Sequence, residues 1–155
     1  EKVYAIKLDR PVLLKMPINL SWKEFSKLVE VALEFGIDGL VIGNLNKDRS
    51  KISETIPDGM GGGLSGASTR KLSTEIISKT YKKYGKRVKI VGVGGIFSAE
   101  DAYEKICCGA SLVQLITGMI FMGPQVVAQI NSGLVRLMKK DGFKNIEEAV
   151  GSKWN

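Results

Sequence analysis

The chain has 155 residues, 44% of them hydrophobic, which is the size and apolar content of one ordinary domain with a real core and excludes disordered and collagen-like classes. Its formal charge is +7, but six of the basic residues sit together at 79–89 (KTYKKYGKRVK), the end of a predicted helix and its exit loop, where cations complement the helix dipole and stay solvated. No aromatic platform or zinc spacing accompanies them, so no nucleic-acid partner is expected, and without histidine any acid–base chemistry must use Lys, Asp, Glu, Ser, Cys or Tyr. The opening EKVYAIKLDR lacks a long apolar core and is not expected to be a signal peptide. The first predicted strand follows at 11–15 (PVLLK), and then a helix whose start is marked by Ser21 and Glu24 and whose apolar stripe is Phe25, Leu28, Val29, Ala32 and Leu33, closed by Gly36.

A second apolar strand is predicted at 39–42 (GLVI). A polar, glycine-containing loop over 44–66 comes next and leads to a helix over 69–84. Loops of that length inside a compact domain are usually functional. The third strand, 88–91 (VKIV), runs through GVGG to Ser98, an N-cap with acidic residues in the turn after it, and a helix to about 108. The fourth, 111–115 (SLVQL), runs through ITG to a helix over 124–140 and a short one near 145–150. The segment 112–122 is too short for a membrane span, and the adjacent pair Cys107 and Cys108 suits neither a zinc site nor a stabilising disulfide, which points to a reducing, intracellular setting.

Four strand–helix units in succession predict an α/β fold with a parallel sheet. They make either half of an eight-stranded barrel or a small open sheet, and a whole (β/α)8 barrel usually needs about 250 residues. Gly92, Gly94 and Gly95 directly follow a strand and precede a capped helix, where bare backbone N–H groups can hold a phosphate; the alternative is a tight strand-to-helix turn. The motif is not a dinucleotide fingerprint, because Phe97 stands where its third glycine belongs. Ile116, Thr117 and Gly118 end the next strand, and in barrels the loops after strands seven and eight frequently share one phosphate site. The run 59–66 (GMGGGLSG) is not a P-loop, since Ala67 replaces the required lysine; its glycines let the chain pass close to a flat ring or phosphate, or serve as a hinge. Lys15 at the end of the first strand can stabilise negative charge, form a Schiff base, or simply snorkel. Asn44 suits recognition of a planar polar ring, or turns the chain.

Several segments together resemble the dihydroorotate dehydrogenase family: PVLLKMPINL at 11–20, GIDGLVIGN at 36–44, GGLSG at 62–66, LSTEII at 72–77, IVGVGGIFSAEDAYEKICCGASLVQL at 90–115 and MGP at 122–124. The GGLSG, LST and GASLVQL segments look most like the quinone-linked, membrane-associated class 2 branch. The resemblance implies the C-terminal half of an FMN-binding TIM (β/α)8 barrel spanning 1–155, with the N-terminal half on another or a cleaved chain. It implies oxidation of dihydroorotate to orotate in pyrimidine synthesis with a quinone acceptor, and peripheral membrane association through an anchor in the N-terminal part.

Roles follow from the same resemblance. Lys15 would lie against the flavin pyrimidine edge and Gly43 would approach the flavin with its backbone. Ser65 and Gly66 would contact the ribityl-phosphate side, while Gly94, Gly95, Ile116, Thr117 and Gly118 would bind the FMN phosphate. Asn44 would hydrogen-bond the substrate beside Leu45. Leu45 and Gly43 stand where the family usually has threonines, and Ile116 where an aromatic is frequent. The serine or cysteine base that takes a proton from dihydroorotate belongs to the other half, so no catalytic base is assigned here. Two further readings stand beside this one: a Schiff-base aldolase of another phosphate-binding barrel type using Lys15, and a non-catalytic assembly fragment that pairs through an open sheet.

Overall fold

The computed structural model describes residues 10–50, 59 and 61–154. Among them four parallel strands, β1 (Leu13–Met16), β2 (Gly39–Ile42), β3 (Lys89–Val93) and β4 (Leu112–Gln114), lie side by side in chain order. Each crossover therefore moves one strand along in the same direction, as the arc of a barrel requires; a doubly wound sheet would reverse its order at a switch point. The helices are α1 (Trp22–Glu34), α2 (Arg70–Tyr84), α3 (Ala99–Cys107), α4 (Thr117–Met122), α5 (Val126–Lys140) and α6 (Ile146–Ala149), with 3₁₀ turns at Gly66–Thr69 and Ser152–Trp154. The part of the long loop at 51–58 and 60 lies outside the described residues.

Strand period two sorts the side chains. Met16, Leu40, Ile42 and Ile90 face the helices and pack with Phe25, Val29, Ala32, Ile76 and Ile77 into the main core. The register Lys15–Val41–Val91–Leu112 lies on the opposite, concave face. Leu112 there is 65% exposed. A second cluster of Ile96, Ala102, Val126 and Ile130 joins α3 to α5.

Local chemistry explains why the helices start and stop where they do. Ser21 Oγ accepts the Glu24 N–H at 3.3 Å while Glu24 Oε2 accepts the Ser21 N–H at 3.1 Å, the reciprocal capping box anticipated for α1. Gly36 ends it at φ 64°, with Gly36 N–H donating to Leu33 O and Ile37 N–H to Ala32 O, a Schellman closure. Leu28, placed in the apolar stripe by its spacing, is exposed; Phe25, Val29 and Ala32 carry the buried face. Helix α4 was not expected. Its six residues TGMIFM are too few and too uniformly apolar to show a helical period.

Candidate cofactor site at the carboxyl ends of the strands

All four strands deliver their C-terminal ends to one cleft of about 200 Å³. Lys15 comes from β1, Gly43, Asn44 and Leu45 from the turn after β2, and Ser65, Gly66 and Thr69 from the entry to α2. Gly94, Gly95 and Ile96 follow β3, and Leu115, Ile116, Thr117 and Gly118 follow β4. Every residue given a cofactor or substrate role by the resemblance lines this cleft, whereas Gly92 lies within β3 and Gly61, Gly62 and Gly63 stand outside it.

Close approach of backbone segments explains the glycines. Gly43 has φ +141°, and a Cβ there would lie 2.6 Å from Val93 Cβ. Gly94 has φ +107°, and its Cβ would lie 2.7 Å from Thr69 Oγ1. Gly95, at φ +68°, rests directly on Arg70 at the start of α2. Left-handed backbone and absent space exclude other residues at these three positions. The backbone N–H groups of Gly94 and Gly95 donate to no acceptor among the described residues, so they are available to an anion in the cleft.

Two hydroxyls close the ring of loops: Thr117 Oγ1 donates to Ser65 Oγ at 3.1 Å, which ties the start of α4 to the turn before α2. Asn44 sits in the turn after β2. It lines the cleft, and its Oδ1 accepts the N–H of Leu45 at 2.9 Å, which turns the chain. Lys15 is exposed on the concave side and is the one charged side chain among the cleft-lining residues.

The N-terminus of α3, by contrast, is largely satisfied from within. Asp101 Oδ2 accepts the N–H groups of Phe97 at 2.9 Å and Ser98 at 3.2 Å, and Ser98 Oγ accepts that of Asp101 at 3.3 Å. Asp101 also pairs with Arg70, whose Nη2 lies 3.0 Å from Glu104 Oε2. The donors left for a ligand are therefore those of the glycine loop itself. Arg70 gave no signal in the sequence, because an arginine opening a helix reads as surface; its partners on α3 are distant in the chain.

The family model for dihydroorotate dehydrogenase matches residues 1–138, nearly nine-tenths of the chain. This chain belongs to the dihydroorotate dehydrogenase family. It is 43% identical over 151 residues to the dihydroorotate dehydrogenase (quinone) of Parvibaculum lavamentivorans, covering 97% of this chain and 43% of that protein. It is 42% identical over 141 residues to the dihydroorotate dehydrogenase (quinone) of Deinococcus radiodurans, covering 91% and 38%. The crystal structure of ligand-free DHODH from Eimeria tenella superposes with a TM-score of 0.87 at 33% identity, covering 94% of this chain and 41% of that one. The chain thus spans about two fifths of the length of the curated relatives it matches. The dihydroorotate dehydrogenase match bears out the family and the barrel-type α/β architecture expected from the sequence.

Proposed function

We propose that this chain is the C-terminal, phosphate-binding part of an FMN-dependent enzyme that oxidises dihydroorotate to orotate and passes the electrons to a quinone. The observation that carries the reading is the convergence of two glycine-rich strand exits, Gly94–Gly95 and Thr117–Gly118, on one cleft whose glycine-loop N–H groups have no protein acceptor among the described residues. A donor set of backbone amides and hydroxyls suits an organic phosphate.

When bound, the flavin supplies the hydride acceptor. The residues of this chain bind and orient it. Gly94 and Gly95 hold the phosphate oxygens with backbone donors, and Thr117 and Ser65 keep the two loops in register through their shared hydrogen bond. Gly43, with Val93 filling the place of a side chain, lines the cleft with bare backbone and would meet the ring there. Lys15 would set a positive charge beside the bound ring, where it would favour an anionic form. Asn44 offers its amide to the substrate.

The proton-abstracting residue and the other wall belong to the segment that the relatives carry beyond the matched portion. The cleft of about 200 Å³ is smaller than the several hundred Å³ of complete small-molecule sites, as a site with one wall supplied elsewhere would be. Association with a membrane would rest on that other segment too, since no helix among the described residues is long and apolar enough to cross one.

Combining this chain with the complementary segment should produce a complex with bound-flavin absorbance and dihydroorotate-dependent bleaching of that absorbance. A complex that forms without retaining flavin would refute the reading.

A further inference from the structure

The phosphate end of the cleft is lined by glycine, isoleucine and threonine and contains no charged side chain; Lys15 stands at the other end, on β1. A phosphate monoester nonetheless carries close to two negative charges at neutral pH. Arg70, against which Gly95 rests, is already paired with two carboxylates, but a second positive charge lies behind the loop. Lys105 on α3 is completely buried, at 0% exposure. Its Nζ donates to Ser73 Oγ at 2.6 Å, Thr74 Oγ1 at 2.8 Å and Arg70 O at 3.4 Å, all in the first turn and a half of α2.

All three acceptors are neutral. The two neighbouring carboxylates, Asp101 and Glu104, are committed to Arg70. An ammonium kept from water without a carboxylate in contact is costly, so its burial calls for a compensating interaction. The packing shows where that interaction lies. The aliphatic stem of Lys105 runs under Gly92, where a Cβ would meet Lys105 Cδ at 3.3 Å. Ser73 Oγ, which accepts the Lys105 N–H, has one proton of its own to place between two carbonyls, Arg70 O at 3.1 Å and, on the cleft side, Gly94 O at 3.5 Å.

Peptide planarity gives that long contact its importance. The Gly94 carbonyl and the Gly95 N–H share one trans amide plane and point in opposite directions. Holding the carbonyl toward Ser73 on α2 therefore turns the Gly95 N–H the other way, toward the cleft that Gly95 lines.

We propose that Lys105 is a positioning residue for the cofactor phosphate: acting through Ser73, it orients the Gly94–Gly95 amide toward the anion and supplies a fixed positive charge beneath it. This rests on the FMN reading above. It also explains why the loop can bind a dianion with no arginine or lysine in the cleft at that end.

The test compares FMN with riboflavin, which lacks only the phosphate, on the complete barrel of this chain and its complementary segment. Dissociation constants are measured for wild type, Lys105→Met and Ser73→Ala, with thermal unfolding of each without flavin. Lys105→Met should weaken FMN about tenfold or more, as expected for losing an interaction with a charged group, while riboflavin affinity stays within about twofold. Ser73→Ala should show a smaller loss with the same selectivity. Unchanged FMN affinity, or equal weakening of both flavins, would overturn the proposal. Should Lys105→Met fail to fold, the Ser73→Ala comparison decides by the same criterion. Wild type that binds FMN no better than riboflavin would instead overturn the FMN reading, and this proposal with it.

Discussion

Gly43 and Lys105 show how differently single residues announce themselves. Gly43 stands where the family resemblance leads one to expect threonine, and the structure gives the reason: at φ +141° with Val93 against its Cα, no side chain fits. Its place was legible through the resemblance alone, on the segment GIDGLVIGN. Lys105 was not, because a lysine in a charged helix such as AEDAYEKIC reads as surface; the signal was the narrowness of the polar face, since six of the nine residues of α3 are buried. Burial pulls the Lys105 ammonium down from the usual 10.5 to about 8, the flanking charges of Glu104, Arg70 and Asp101 having smaller effects. The folded protein therefore releases this proton before the unfolded chain does, and the lysine's contribution to stability rises with pH between about 8 and 10.5. The gain could reach ~3 kcal/mol. Cys108 and Tyr103, both pushed up by burial, act with the opposite sign above pH 9. The quantity to measure is thus the difference in urea-unfolding free energy between flavin-free wild type and Lys105→Met: it should move in favour of wild type from pH 8 to 10, and a flat difference would contradict the assignment.

Among the elements, α3 carries the heaviest local specification. Asp101 replaces the usual glutamate of a capping box, and being shorter it also collects the Phe97 N–H and reaches Arg70 on α2. One carboxylate so fixes the exit of the glycine loop, the start of α3 and the α2–α3 contact. Ser98→Ala should cost about 1 kcal/mol, an ordinary cap loss. Asp101→Ala should cost more, because it also leaves Arg70 without its buried partner. Equal losses in thermal or urea unfolding would mean that the Arg70 pair contributes nothing. Caps and strand exits were readable because they depend on neighbours in sequence. The Arg70–Asp101 pair and helix α4 were not: the first joins residues 31 apart and leaves no pattern in sequence, and the second is shorter than two helical turns.

At the scale of the molecule, the sheet is an arc with apolar material on its open side. Leu13 and Leu112 are exposed on the concave face, and Ile116, Ile120 and Phe121 beyond β4 are 71%, 71% and 77% exposed. Among the described residues β1 and β4 each pair on one edge only. Open parallel edges beside an apolar patch are association surfaces. The chain by itself should sediment as a concentration-dependent oligomer and bind a hydrophobic dye, and the complementary segment should convert it to a single heteromeric species; a monodisperse monomer would show that these surfaces are covered from within. The strand alternation, the arc and the cleft at its carboxyl ends were all legible, since they follow from the order of four short apolar runs. That the relatives extend well beyond the matched portion agrees with a length short of a whole barrel. Strand order that follows chain order has a last consequence, for synthesis. A chain made from its N-terminus can add each of these four strands to the edge formed just before it, and none has to be inserted between two that are already paired.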